Sequence, residues 1–253
     1  MSLVVKPVVV QEHRYAQPRA GESIGPAPSR SVLSSNSGSG KSSAGMTHLN
    51  ADFPVCTRIH LFSSTLELDP TYAPMRKKIR EMLVSRGVDV DDPEEKFEHE
   101  TLADLGLAVN AAMKRTKEAL DSGAKSMPLT YFYIDDFLGG TSDGGGGYRN
   151  NSELDRLFSR GRHAGAIIMC LTQTWKGLST TVRKNCSHLG IWGGQNRMEY
   201  DSVRTEIAGR GGLNDDTFLK AYQIATTPKY GFLWIRLTTG DLYSSFSKKL
   251  VLK

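Results

Sequence analysis

The sequence predicts an α/β fold, a mostly parallel sheet with helices on both faces, and three observations carry that reading. Tyr131–Ile134 and Ala166–Leu171 are continuous apolar runs, as strands covered on both faces of a parallel sheet require. Strand-like runs alternate along the chain with segments of helical period, which supply the crossovers that parallel strands need. Between the apolar pair Val32–Leu33 and the helix-compatible segment Ser42–Met46 lies Ser-Asn-Ser-Gly-Ser-Gly-Lys-Ser, residues 35–42. Strand, glycine loop and helix in that order place the loop at the carboxyl edge of the sheet.

The elements follow in order. Residues 1–29 mix the β-branched run Val8–Val10 with Pro18, Pro26, Pro28 and several charges, and read as an extended N-terminal arm with one strand, ahead of a single domain over 30–253. Arg58–Phe62 is a second strand, ending in Ser63-Ser64-Thr65. Leu68–Tyr72 is a turn into a basic helix around Arg76, Lys77, Lys78 and Arg80. Leu102, Leu105, Val109, Ala112, Thr116 and Leu120 recur at helical spacing, with Lys114, Arg115 and Lys117 near the opposite side and Gly123 as the stop. The strand Leu129–Asp136 comes next, followed by a stretch from Gly139 to Arg149 too rich in glycine for any packed element, expected as a mobile loop beside the active edge. A helix over Ser152–Arg160 leads to the strand Ala166–Leu171, which ends in Thr172-Gln173. Thr181–Asn185, the strand Leu189–Trp192, a helix bearing Glu206 and another over Thr217–Ile224 complete the series, with a hairpin-like pair at 232–235 and 242–246. No internal repeat is present.

At 253 residues the chain is one large domain or two small ones, with enough length for a sizeable core. Its 39% hydrophobic and 23% charged residues are those of a folded protein, and the net charge of +5 favours an anionic partner. No apolar run approaches the roughly 18 residues of a membrane span, and the N-terminus lacks the pattern of a signal peptide. Cys56, Cys170 and Cys186 have no close spacing and read as buried thiols of a reducing compartment.

Three landmarks carry chemistry. Residues 35–42 match a phosphate-binding loop, with Ser35 where the first glycine is usual. Backbone N–H groups of Ser37, Gly38, Ser39, Gly40, Lys41, Ser42 and Ser43 would converge on an anion at a helix N-terminus. Lys41 would reach the β- and γ-phosphates, and the Ser42 hydroxyl would ligate Mg²⁺. The bland alternative is a Ser/Gly-rich linker. Asp135 and Asp136 end the strand at 129–136, and two carboxylates there need a compensating charge. Beside a phosphate loop Mg²⁺ supplies it, with Asp135 facing the metal and Asp136 accepting a proton from the attacking water; alone, such a pair reads as a helix cap. Gln173 stands where a third active-edge group belongs and can bond the γ-phosphate or orient water, or is a solvated strand end.

The series resembles the DNA-packaging ATPases of large eukaryotic DNA viruses, virophages and polinton-like elements, in the FtsK/HerA branch of P-loop motors. The residues that carry it are Ser-Gly-Ser-Gly-Lys-Ser at 37–42, Leu-Phe-Ser-Ser-Thr at 61–65 with Asp69-Pro70, and Tyr-Ile-Asp-Asp-Phe at 133–137. Arg160–His163, Leu171–Gln173, Val182–Asn185 and Tyr-Gly-Phe-Leu-Trp-Ile at 230–235 follow in the same order. The resemblance implies the P-loop NTPase form of the α/β fold and hydrolysis of ATP with Mg²⁺. It also implies a homo-oligomeric ring, a hexamer in preference to a pentamer, that moves double-stranded DNA into a capsid, with the capsid protein as a further partner and no membrane. Host cytoplasm, viral factory or virion would be its place of action. An arginine from the neighbouring subunit would complete the charge balance, and Arg183 is the choice over Arg160 and Arg162. Two rivals are a monomeric P-loop kinase or GTPase, and a DNA-binding protein with a decayed ATPase site. The long insertion between Lys41 and Asp135 and the lack of an Asn-Lys-x-Asp motif argue against the first; intact Lys41, Ser42 and Asp135 argue against the second.

Overall fold

The computed structural model describes residues 15–18, 24–90, 92, 96–135, 137 and 148–252. Asp136, the glycine-rich stretch 139–147 and Val8–Val10 lie outside them. The strands are β1 (Arg30–Ser34), β2 (Arg58–Ser63), β3 (Glu98–His99), β4 (Thr130–Asp135), β5 (Ala166–Thr172), β6 (His188–Trp192), β7 (Phe232–Arg236), β8 (Asp241–Ser244) and β9 (Lys248–Lys249). They form one sheet in the order β3-β2-β4-β5-β1-β6-β7-β8-β9. The pairs from β3 through β6 are parallel, and β7, β8 and β9 add on in antiparallel fashion.

Every residue of β4 and β5 is buried, so their unbroken apolar runs are used on both faces. Alternate side chains feed separate cores. Phe132, Ile134, Ile168 and Cys170 join one, with residues of α3 (Leu105–Asp121), α4 (Ser152–Arg160), α5 (Thr180–Asn185), α6 (Arg197–Ile207) and α7 (Asp215–Thr226). Tyr131, Tyr133, Ile167, Met169 and Leu171 join the other, with α1 (Lys41–Asp52) and α2 (Ala73–Ser85). Helix starts follow the sequence chemistry: Asn151, Asn196 and Asn214 each accept an N–H from the first turn of α4, α6 and α7.

Three details depart from the sequence pattern. The buried stripe of α3 ends at Thr116, leaving Leu120 in the last turn 42% exposed. β3 and β9 have two residues each, too few for any period to show. Phe246 lies beyond β8, where Ser245 turns the chain at φ 52°, and packs edge-on against Trp234 and Phe232. All three cysteines are buried free thiols. Part of the N-terminal stretch docks on the domain: Tyr15 bridges Met127, and the Gln17 amide exchanges two 2.9 Å hydrogen bonds with the Ala27 backbone.

The register brings the parallel strands to a common carboxyl edge, with Ser63 opposite Asp135, Asp135 opposite Leu171 and Thr172 opposite Ser34. β5 lies between β4 and β1, so its end separates the acidic strand from the strand that feeds the loop.

The entry into β5 depends on Gly165, at φ 59°, where an added Cβ would lie 2.3 Å from the Pro128 carbonyl oxygen. Gly165→Ala should destabilise the fold by about 2 kcal/mol or more, from left-handed backbone strain and a contact that backbone must move to relieve. Chemical denaturation of the two proteins checks this; equal midpoints would count against the packing described for this corner.

Candidate nucleotide-binding site

Ser35 is fully buried and its amide donates to the Thr172 carbonyl at 3.1 Å, extending the β1–β5 ladder by one residue. Ser35 follows directly on β1 and is not among the residues of positive φ, so a side chain is tolerated where the motif has glycine. The turn proper is made by Gly38 at φ 74° and Gly40 at φ 89°, both in the left-handed region that glycine enters without penalty. Gly40 occupies the cap position of α1 and offers no side chain to the first-turn amides, which suits a helix start that receives an anion. Gly45 lets α1 ride close to the sheet, since a Cβ there would stand 2.9 Å from the Tyr133 ring.

Asp135 ends β4 only 4% exposed, and its Oδ2 accepts two hydrogen bonds. The Ser42 hydroxyl donates at 3.0 Å and the Tyr72 hydroxyl at 2.7 Å. Tyr133 donates to the Ser42 carbonyl at 3.4 Å, and the Lys41 ammonium donates to the Ser35 carbonyl at 3.2 Å. Tyr72 arrives on a short 3₁₀ turn, Pro70–Tyr72, whose start is capped by Asp69 accepting from the Thr71 amide. Burial, with the Asp135 carboxylate next to it, pushes the Tyr72 phenol well above its ordinary value.

Lys41, Ser42, Tyr72 and Asp135 line a cleft of about 260 Å³ that runs along residues 36–43 and is closed further by Thr65, Asp69, Thr71 and Gln173. Lys41, Ser42, Asp135 and Gln173 therefore meet at one edge, as their places in the sequence predict. Within the loop the Ser39 hydroxyl is buried with no hydrogen-bond partner among the described residues. Paired hydroxyl and carboxylate oxygens are hard donors that fit Mg²⁺, which takes one or two protein ligands and leaves the rest to phosphate and water. Arg183 does not line the cleft. It lies on α5, where its guanidinium pairs with Glu206 and donates to the Thr180 hydroxyl at 3.3 Å.

Sequence reasoning missed Tyr72 as a site residue; its signal was the Asp69-Pro70 turn directly before it. It also missed Tyr230, 60% exposed at φ 62°, whose ring lies 3.5 Å from where a Gly40 Cβ would be. A tyrosine held in that backbone region beside the loop has no periodic signal in sequence.

No protein-family model and no curated protein sequence matches this chain. Solved structures do. The genome packaging NTPase B204 of Sulfolobus turreted icosahedral virus 2, in complex with ATP-γ-S, aligns with a TM-score of 0.55 at 14% identity, over 85% of this chain and 94% of that one. B204 of Sulfolobus turreted icosahedral virus, a DNA-packaging ATPase, gives 0.51 at 14% identity over 88% and 97%. ATPases 2 and 3 of EssC from Geobacillus thermodenitrificans give 0.54 at 12% identity, over 82% of this chain but 37% of that one. The chain has the α/β fold of these proteins.

The Tyr72–Asp135 bond makes a pH prediction. Because the folded state holds the phenol protonated above its usual range, this stabilisation is complete below about pH 10 and is lost as pH rises above it, where only the unfolded phenol ionises. Tyr72→Phe should lose about 1 kcal/mol at pH 8 and show a shallower decline between pH 9 and 11 than the parent. Denaturant midpoints across that range check it; parallel curves would mean that the bond does not form.

Proposed function

We propose that this chain is an ATP-driven motor that translocates double-stranded DNA into a viral capsid. The observation that carries the reading is the single cleft that gathers the loop 36–43, Asp135 and Gln173 at the carboxyl edge of the sheet. Loop amides and Lys41 neutralise the phosphates, while Ser42 and Asp135 hold Mg²⁺. Mg²⁺ held there would supply further neutralisation of the phosphate charge. Gln173 positions the attacking water in line, and Asp136, which follows the described end of β4, takes its proton. The net charge of +5 supports a backbone grip on DNA, and the near-complete mutual coverage with B204, a viral genome packaging NTPase, favours packaging over the EssC reading. A head-to-tail ring would place Arg183 of one subunit near the cleft of the next, with Glu206 holding the guanidinium until it is used.

Lys41→Ala should abolish ATP turnover with an unchanged circular dichroism spectrum; wild-type turnover by the purified variant would overturn the assignment of the loop. In an equal mixture of Lys41→Ala and Arg183→Ala subunits, roughly a quarter of boundaries pair an intact loop with an intact arginine. Activity should return on mixing, and its absence despite demonstrated subunit exchange removes Arg183 from the trans role.

Asp136→Asn should bind Mg-ATP normally and hydrolyse it about 10²–10⁴ times more slowly. Single-turnover hydrolysis at the parent rate would move the base elsewhere.

A further inference from the structure

At the opposite edge of the sheet, where the parallel strands begin, the chain builds a second cavity of about 270 Å³, as large as the nucleotide cleft. Three arginines that are remote in sequence line it: Arg30 opens β1, Arg162 lies in the turn before β5, and Arg236 ends β7. Thr238, Thr239 and Ser187 add hydroxyls, and none of the lining residues is acidic.

Arg30 is steadied by donating to the Phe158 carbonyl at 3.1 Å, and among the described residues neither Arg30 nor Arg162 has a carboxylate partner. Arg236 lies 3.8 Å from Asp241, a carboxylate it shares with Lys249 at 2.7 Å. Burial, and behind it the charges of Arg162 and Arg210, press the Arg30 guanidinium below its ordinary value. His188, pushed down to about 3 by burial, adds no charge at neutral pH. Guanidiniums gathered around a concave site with hydroxyl donors match the oxygens of a phosphate group, which arginine engages with paired N–H bonds.

We propose that this cavity is a second phosphate-binding site, separate from the nucleotide cleft, which takes the phosphodiester backbone of DNA or the phosphate of a free nucleotide. The DNA source rests on the function proposed above; the site itself does not. Such a position leaves the nucleotide edge unobstructed and puts the second phosphate one strand length away, roughly 16 Å for five residues.

The test uses three probes: inorganic phosphate, AMP, and a labelled 20-base-pair duplex. The first two are measured calorimetrically in the Lys41→Ala background, and the duplex by anisotropy over a salt series. Arg162→Glu, at an exposed position, and Arg236→Gln are compared with the parent, with thermal unfolding as the control for folding. Arg162→Glu should weaken at least one probe by about tenfold or more and leave DNA-free ATP turnover unchanged. Loss of duplex affinity with a salt slope reduced by about 1 per contact removed assigns the DNA backbone. Loss of phosphate or AMP alone assigns a free nucleotide, and stands even if the parent binds no duplex, an outcome that sinks only the DNA reading. Unchanged binding of all three probes in both folded variants overturns the site.

Discussion

Burying one carboxylate organises this molecule. Asp135 is almost withdrawn from water at the end of a strand whose every residue is buried, and a carboxylate so placed costs several kcal/mol unless other groups satisfy it. The Ser42 and Tyr72 hydroxyls do so. They come from the start of α1 and from the turn before α2, so three segments far apart in sequence must meet for the charge to be tolerated. The cleft is thus a product of folding, assembled before any ligand arrives.

The same edge gathers further restraints. Tyr148 donates to the Leu171 carbonyl at 2.7 Å and lies 6.2 Å, ring to ring, from Phe137. The residues that bracket the stretch 138–147 are therefore both held at the carboxyl ends of β4 and β5. On the far side of the loop Gln195 donates to the Ser34 carbonyl and Asn36 to that of Gly194, joining β1 to the segment after β6. The strand that feeds the loop is tied to both neighbours at the point where it turns.

Much of this was legible in the sequence because buried parallel strands write long apolar runs and phosphate loops need glycine at fixed places. Tyr131–Ile134 and Ala166–Leu171 became the two central strands, and Lys41, Ser42, Asp135 and Gln173 came together as their spacing and strand ends imply. What stayed hidden is long-range. Tyr72 reaches Asp135 across 63 residues, and Arg30, Arg162 and Arg236 meet only once the sheet has ordered its strands. The Arg183 side chain is 16% exposed and engaged with Glu206, a partner that no local pattern announces.

Among the described residues, both borders of the sheet are two residues long. At one, Glu98 is held by Arg76 and His99 is buried; at the other stand the exposed pair Lys248 and Lys249. Short, charged borders resist pairing with a foreign strand. Any assembly of these chains would then join through helical faces and loops, with each sheet keeping its own hydrogen bonds. A neighbour could leave or be replaced without a strand being peeled away, and crowded copies would have little means of growing into fibrils.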